Sequence, residues 1–151
     1  MNIEKDVNEI AKTFHNLMKS KGFWDEESAI QHKIIMNEVK GLKPDEVAFI
    51  LNAFISQKLA LMASEISEAL EGLRSKSGFY RPDLENLLTL PDDEFQDRFK
   101  NEVKDSMGDE LADVIYRIFD FCGFHHIDIG RHIEAKHRYN ATRPRKHGKS
   151  F

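Results

Sequence analysis

The sequence is almost free of cysteine. Cys122 is the single cysteine, so one chain can form neither an internal disulfide framework nor a multi-cysteine zinc site. It stands among Phe119, Phe121 and Phe124. We therefore predict that Cys122 is a small buried apolar residue rather than a nucleophile.

The sequence also lacks the marks of an exported or membrane-bound chain. No basic segment followed by an apolar run stands at the N-terminus, and no apolar stretch approaches about 18 residues. We expect neither a signal peptide nor a membrane span, and we expect a cytoplasmic protein.

Positive charge is scarce except near the C-terminus. The 151 residues predict one domain, 1–151, with a basic tail at about 141–151. From Arg131 onward there are seven Lys or Arg and one Glu, whereas the preceding residues hold 15 basic and 25 acidic side chains, a balance of −10. The tail can contact the acidic body directly or through a bridging anion. Nucleic acid is a poor partner, because the acidic body repels phosphates and the tail lacks interleaved stacking aromatics.

The apolar pattern is helical, and no segment shows the alternation of a strand. Residues 75–91 hold Ser, Gly and two prolines without periodicity and are predicted to be a long loop. The fold class is therefore all-α, most simply a helix bundle. The predicted helices are 3–20 ended by Gly22, one from Asp25 or Ser28 to about Lys40, one over 45–74, a short one after PDDE (91–94), one from about Val103 to Gly123, and one capped by Asp128 that reaches about Asn140.

Two of these helices carry acidic pairs inside an apolar pattern. ASEISEAL holds Glu65 and Glu68, and GDELADVIYR holds Glu110 and Asp113 with Asp109 beside them. Residues three apart are neighbours on a helix, where like charges repel. A single pair of this kind is commonly a solvated surface feature, but two antiparallel helices would bring both pairs to one interior. Such carboxylates need a compensating cation, and Mg²⁺ or Mn²⁺ prefers oxygen ligands.

Hard cations held by carboxylates usually serve phosphate chemistry. Lys58 lies within about 20° of Glu65 on a helical wheel, two turns away, so that its ammonium group can reach a phosphate at the metal. Arginine suits bidentate phosphate contact. Further basic candidates near the C-terminus are Lys136, Arg143, Arg145, Lys146 and Lys149.

Four segments of the sequence carry a family resemblance. They are SEISEALEGLR (64–74), DELADVIYRIFDF (109–121), KHRYNATRPRKHGK (136–149) and, as a weaker match, GFW (22–24). Together they resemble the MazG-like all-α nucleoside triphosphate pyrophosphohydrolases. The resemblance implies a bundle of that type, completed by association into a homodimer or homotetramer. It implies Mg²⁺-dependent hydrolysis of an NTP or dNTP to the monophosphate and pyrophosphate, as in nucleotide-pool house-cleaning.

The resemblance also implies roles for individual residues. The family's E-x-x-E and E-x-x-D motifs would make metal ligands of Glu65, Glu68, Glu110 and Asp113. A metal-free carboxylate oxygen would deprotonate the attacking water, with Asp109 and Glu71 as lesser candidates for that base.

The substrate contacts follow from two shorter matches. Lys136, Asn140 and Arg143 fit the pattern K-x-x-x-N-x-x-R and would contact the triphosphate or sugar. Phe23 and Trp24 occupy the region of a base-stacking wall, although plain packing against the first helix explains them equally well. The chain is longer than the family pattern at 28–50 and 75–104, which affects the base pocket.

Two other functions are compatible with an acidic helical chain. A di-iron carboxylate bundle needs two E-x-x-H motifs, and this chain has one, Glu134 with His137, in the basic segment. An acidic helical module whose basic tail binds a partner would have no activity. Tightly bound iron would support the first function, and indifference of stability to Mg²⁺ would support the second.

Overall fold

A computed structural model describes residues 3–36, 38, 41–75 and 82–144, and every regular element in these ranges is helical. The absence of strands there confirms the all-α prediction. The elements are α1 (Ile3–Ser20), α2 (Asp25–Ile35), α3 (Pro44–Ser75), α4 (Leu84–Leu87), α5 (Asp92–Arg98), a π-helical turn (Phe99–Val103), α6 (Met107–Phe124) and α7 (Ile129–Ala141).

The chain divides into two compact units. The first unit comprises Met1–Glu38 and Ile118–Phe151, and the second unit comprises Val39–Arg117. Helix α6 contributes its first part to the second unit and its last part to the first. Of the predicted basic tail, residues 145–151 lie outside the described ranges, and with them Arg145, Lys146 and Lys149.

Local signals placed three helices correctly. The first helix ends as predicted, and Gly22 has the left-handed φ of 81° that glycine adopts without steric cost. Asp128 caps α7, because its side chain accepts a hydrogen bond from the Arg131 N–H at 3.0 Å. Helix α3 is one residue longer at each end than predicted.

Two predicted boundaries were wrong. Helix α2 ends at Ile35 instead of about Lys40, which itself lies outside the described residues. The segment 75–91, predicted to be a loop, contains the short helix α4, whose cap Asp83 accepts a hydrogen bond from the Asn86 N–H at 3.1 Å. Residues 76–81 of this segment lie outside the described ranges. The helix expected after PDDE (91–94) begins inside this motif, at Asp92.

Helix α6 begins at Met107 and not near Val103. Val103 is buried, but it closes the π-helical turn that precedes α6. Ser106 caps α6 by accepting from the Asp109 N–H at 3.3 Å, and Asp109 accepts from the Asp105 N–H at 3.1 Å. The first bond satisfies an amide that a helix start leaves without a partner, and the second fixes the residue before the cap, which explains the boundary.

In the first unit, α1 packs against the start of α7. The Asn8 side chain donates to Asp128 at 2.8 Å and accepts from the Gly130 N–H at 2.9 Å. Gly130 lies directly on the α1 backbone, where a Cβ atom would stand 2.3 Å from the Glu4 carbonyl oxygen. A glycine is therefore needed at this crossing.

In the second unit, α3 and α6 run antiparallel. Near one end, a Cβ atom on Gly72 would stand 2.9 Å from both the Asp105 carbonyl oxygen and the Met107 nitrogen. Further along, Glu65 on α3 meets Arg117 on α6. The two contacts progress in opposite directions along the helices, as predicted for the helices that carry the acidic pairs.

This close approach gives a stability prediction. Gly72→Ala should lower the free energy of unfolding by about 1–3 kcal/mol, the usual cost of overpacking, although alanine favours helix. The reason is that the atoms in its way are backbone atoms. The matched control is Gly108→Ala in α6, where a Cβ meets nothing within 4 Å and a small gain is expected. Urea denaturation measures both, and equal effects would contradict the close contact.

The buried face of α3 differs from the predicted one. The helical spacing of Leu59, Ile66 and Leu70 in the sequence predicts a buried face, but these three residues are exposed. Glu65 and Ala69 are buried instead. The helix is apolar on more than one side, so periodicity alone could not select the side that packs on α6. The exposed residues form a stripe along α3, since positions 59, 66 and 70 fall within about 40° of one another.

The expectation that no apolar stretch has membrane-spanning length needs correction. By length and composition, Pro44–Arg74 passes as a candidate span, the one such helix found in the described residues. Core helices of other proteins pass the same test, so the observation is weak evidence for a membrane.

Candidate metal centre

Three glutamates converge in the second unit. Glu65 and Glu68 come from successive turns of α3, and Glu110 comes from the first turns of α6. One carboxylate oxygen from each lies within 4.8 Å of the others. Glu65 and Glu110 are 4% and 5% exposed, while Glu68 is open to solvent. The group therefore has two buried members and one solvent-facing member.

A shared proton relieves the repulsion among these carboxylates. Burial is the largest of several causes that together raise the pKa of Glu110 to about 7; the others are a hydrogen bond with Glu65 and the charges of Glu68, Asp109 and Glu65. In its protonated form, Glu110 donates a hydrogen bond to Glu65.

Arg117 also offsets negative charge in the carboxylate cluster. Its Nε and Nη2 atoms lie 2.6 and 2.5 Å from Glu65 Oε1. A half-exposed guanidinium group therefore neutralises a buried carboxylate. A proton on Glu110 and the guanidinium group beside Glu65 thus offset part of the negative charge of the cluster.

Asp113 lies one turn beyond Glu110 on α6. Burial raises its pKa, the charges of Asp109 and Glu65 act in the same direction, and Arg117 and Lys104 oppose them. Asp113 thus interacts electrostatically with the cluster, although the group of closely spaced carboxylates consists of the three glutamates. The structure brings together three of the four predicted ligands and places the fourth beside them.

The donor set fits a hard cation. The three converging groups are all carboxylates, which suit Mg²⁺, Mn²⁺ or Ca²⁺ better than iron or zinc. The di-iron alternative gains no support, because Glu134 and His137 are exposed on α7 and belong to the first unit. The chemistry of the donors therefore agrees with the predicted Mg²⁺ but does not by itself identify the metal.

Other predicted residues of the second unit have varied surroundings. Lys58 is half-buried on α3, on the same side as Glu65 by helical spacing. Asp109 accepts from the Asp105 backbone, and Glu71 pairs with Arg74 at 2.5 Å. These existing partners make Asp109 and Glu71 weaker candidates for a general base.

The predicted triphosphate contacts form a group of their own in the first unit. Two of these residues contact the exposed Tyr139 ring: Lys136 Nζ lies 5.6 Å and Arg143 Cζ lies 5.8 Å from its centroid. The Asn140 carbonyl accepts from the Arg143 N–H at 3.1 Å. Tyr139 was not anticipated, although it stands three residues after Lys136 and four before Arg143.

The structure gives Trp24 a packing role instead of an open base-stacking face. The side chain is 2% exposed, and its ring stacks on Phe124 with centroids 3.8 Å apart. Its Nε1–H donates to Asp120 at 2.7 Å, and His15 Nδ1 meets the same oxygen at 2.8 Å. Phe23, at 56% exposed, is the accessible aromatic residue of the pair.

The sequence reasoning missed Arg117, His15 and Asp120. Arg117 was detectable, because it follows Asp113 by four residues and Glu110 by seven and so shares their face of α6. His15 and Asp120 are distant in sequence, and their pairing depends on how α1 meets the end of α6.

Comparison with protein-family models, with curated proteins and with solved structures gives no match for this chain. The resemblance to the MazG-like family therefore rests on the motifs named above.

Proposed function

We propose that this protein is a nucleoside triphosphate pyrophosphohydrolase that uses Mg²⁺, with Mn²⁺ as a substitute, and acts on the cytoplasmic nucleotide pool. The carrying observation is the convergence of Glu65, Glu68 and Glu110 from two antiparallel helices, with oxygens within 4.8 Å. Burial of carboxylates costs free energy even when a proton and an arginine offset their charge. A role in binding a cation would account for this cost. The motif resemblance supplies the reaction.

The carboxylates would hold the metal, and Asp113 would join them. When bound, Mg²⁺ would neutralise phosphate oxygens and lower the pKa of a bound water. Lys58 would direct its ammonium group to a phosphate oxygen from the α3 side. Lys136, Asn140 and Arg143 would hold the triphosphate or sugar.

The reaction adds a water oxygen to phosphorus and breaks one anhydride bond. Attack at the α-phosphorus expels pyrophosphate, and attack at the β-phosphorus expels the monophosphate. In either case the leaving group takes the bonding electrons, and the proton of the water passes to a carboxylate. The chain needs no serine or cysteine nucleophile, so no covalent intermediate is expected. Burial around Glu65 and Glu110 would keep bulk water away from the reacting phosphorus and strengthen the charge interactions there.

A panel of nucleoside triphosphates incubated with the purified chain and Mg²⁺ tests the proposal. Separation of the products should show monophosphate and pyrophosphate, and EDTA should abolish their formation. Release of inorganic phosphate alone would indicate another reaction. Absence of any product, together with no effect of Mg²⁺ on thermal stability, would favour a non-enzymatic interaction module.

Lys136→Ala and Arg143→Ala should each weaken nucleotide binding by about 1–3 kcal/mol, the range for hydrogen bonds to charged groups. The products should not change, because neither residue belongs to the carboxylate cluster. Isothermal titration with a non-hydrolysable triphosphate measures the affinity. Arg138→Ala, an exposed change on the same helix, is the control. Normal affinity combined with lower thermal stability would assign both residues a structural role.

We also propose that the protein is a homodimer or homotetramer. The supporting observation is the exposed stripe Leu59, Ile66 and Leu70 on α3, to which Leu111 and Ile115 add exposed apolar surface on α6. Surfaces of this kind commonly mark interfaces. Leu59→Gln with Leu70→Gln should reduce the mass measured by light scattering, and a monomeric wild-type protein would contradict the assignment.

A further inference from the structure

The first unit contains a cavity of about 510 Å³ that none of the proposed catalytic residues lines. It lies between α1 and the segment joining α6 to α7. Its apolar lining includes Ala11, Cys122 and Ile127, whereas His15 packs directly against Gly123. Cavities of roughly 300–1,000 Å³ with an apolar floor and a few polar groups are typical of small-molecule sites.

The rim of this cavity is rich in nitrogen donors. Lys12, His15 and Lys19 line it from successive turns of α1. Asp128 also lines it, but its carboxylate already accepts from the Asn8 side chain at 2.8 Å and the Arg131 N–H at 3.0 Å. In a chain of net charge −4, two lysines at one cavity produce a local positive field.

His126 lines the opposite side in an unusual backbone conformation. Its φ is 53°, and it occupies the left-handed position that follows the end of α6. The Ile127 N–H donates to the Cys122 carbonyl at 2.9 Å, and the His126 N–H donates to the Gly123 carbonyl at 3.4 Å. Glycine is the usual residue at this position of such a motif. A histidine side chain is thus held at the cavity against the backbone preference.

We propose that this cavity binds a small organic anion, a molecule with a flat apolar ring and a phosphate or carboxylate group. The ring would lie against Ala11 and Ile127, and the anionic group would be held by Lys12, Lys19 and His126. Lysines two turns apart on one helix face can converge on one anionic group.

Phenyl phosphate is the test probe, used with the full chain in EDTA so that the carboxylate cluster holds no metal. It should bind saturably, shift the backbone amide resonance of Gly123 and slow the labelling of Cys122 by iodoacetamide. Cys122 is the only cysteine, so the label reports on one position of the chain, and the Gly123 resonance shows whether the effect arises at the cavity. Inorganic phosphate and phenol should each bind at least about tenfold more weakly, because each supplies half of the recognition. Benzoate in a parallel titration shows which anionic group is preferred.

Lys12→Gln and Lys19→Gln should each weaken phenyl phosphate binding about three- to tenfold. Lys33→Gln, an exposed change on α2, should leave it unaltered. His126→Gly should weaken binding but raise the melting temperature, a combination that a purely structural histidine would not show. Glu110→Gln should bind the probe like wild type, which separates this site from the proposed activity. Absent saturation, unchanged Cys122 labelling, or normal binding by the Lys12→Gln and Lys19→Gln double variant would overturn the assignment.

Discussion

Glu65→Gln, Glu68→Gln, Glu110→Gln and Asp113→Asn are each expected to reduce nucleotide hydrolysis at least about 100-fold. Each substitution removes a negatively charged metal ligand while it keeps the shape of the side chain. Metal-dependent stabilisation of a phosphoryl transition state amounts to several kcal/mol, and about 2.7 kcal/mol corresponds to 100-fold. Steady-state rates with saturating Mg²⁺ provide the measurement.

The fold should survive these substitutions. Glutamine at 110 keeps a donor for Glu65 and removes a source of repulsion, so the metal-free variant should be at least as stable as wild type. Glutamine at 65 still accepts a hydrogen bond from Arg117 but loses the charge pair. Circular dichroism and thermal unfolding should therefore separate the loss of rate from any loss of structure.

Glu94→Gln is the matched control, since Glu94 is an exposed acid of the same unit on α5. It should retain the wild-type rate. A cluster variant that also kept a near-wild-type rate would exclude its residue from the site. Asp113→Asn is the most informative of the four, because Asp113 stands beside the three converging glutamates and not among them.

Local sequence signals predicted the helices well where the cap and the periodicity agreed. Gly22 and Asp128 each fix a boundary through their own backbone or side chain, and both boundaries were correct. The start of α6 was misplaced because apolar Val103 continues the pattern, while the cap that decides the boundary is Ser106.

Tertiary packing decided what the sequence left open. Helix α3 is apolar on several sides, and its glycine, Gly72, was the one indication of the side that approaches α6. That side also carries Glu65, so the acidic residue is buried while Leu59 and Ile66 are exposed. The position of Trp24 depends on Phe124 and Asp120, which follow it by about a hundred residues. No local pattern encodes such a contact.

The metal-free protein is expected to lose stability as the pH rises from about 4.5 to about 7. Folded Glu110 keeps its proton up to a pKa of about 7, whereas an unfolded glutamate releases it near its ordinary value of 4.5. Over this interval the folded state binds more protons than the unfolded state, so the free energy of unfolding falls with pH. The raised pKa of Asp113 acts in the same direction. The full effect of Glu110 is on the order of 3 kcal/mol.

Other groups require a comparison of variants. Burial, with the charge of His126, lowers the pKa of His125, which makes stability rise with pH in an overlapping interval. Hydrogen bonds lower the pKa of Asp128, whose contribution is lost only in more acidic solution. The difference between wild type and Glu110→Gln cancels these terms and isolates the cluster. Urea denaturation in EDTA between pH 5 and pH 8 supplies the data, with Glu94→Gln as the control that should follow wild type.

A divalent cation should reverse this dependence. Binding to Glu65, Glu68 and Glu110 requires the ionised carboxylates, so Mg²⁺ must displace the proton from Glu110 and its affinity should rise with pH up to about 7. Saturating Mg²⁺ should therefore stabilise wild type most at pH 7–8, by an amount set by the ratio of its concentration to the dissociation constant. Glu110→Gln should show neither the pH-dependent loss nor the recovery with Mg²⁺. The prediction compares the metal-free wild type with Glu110→Gln between pH 5 and pH 7. If both gained the same stability, Glu110 would not hold the proton. If Mg²⁺ stabilised Glu110→Gln as much as it stabilised wild type, the metal would bind elsewhere.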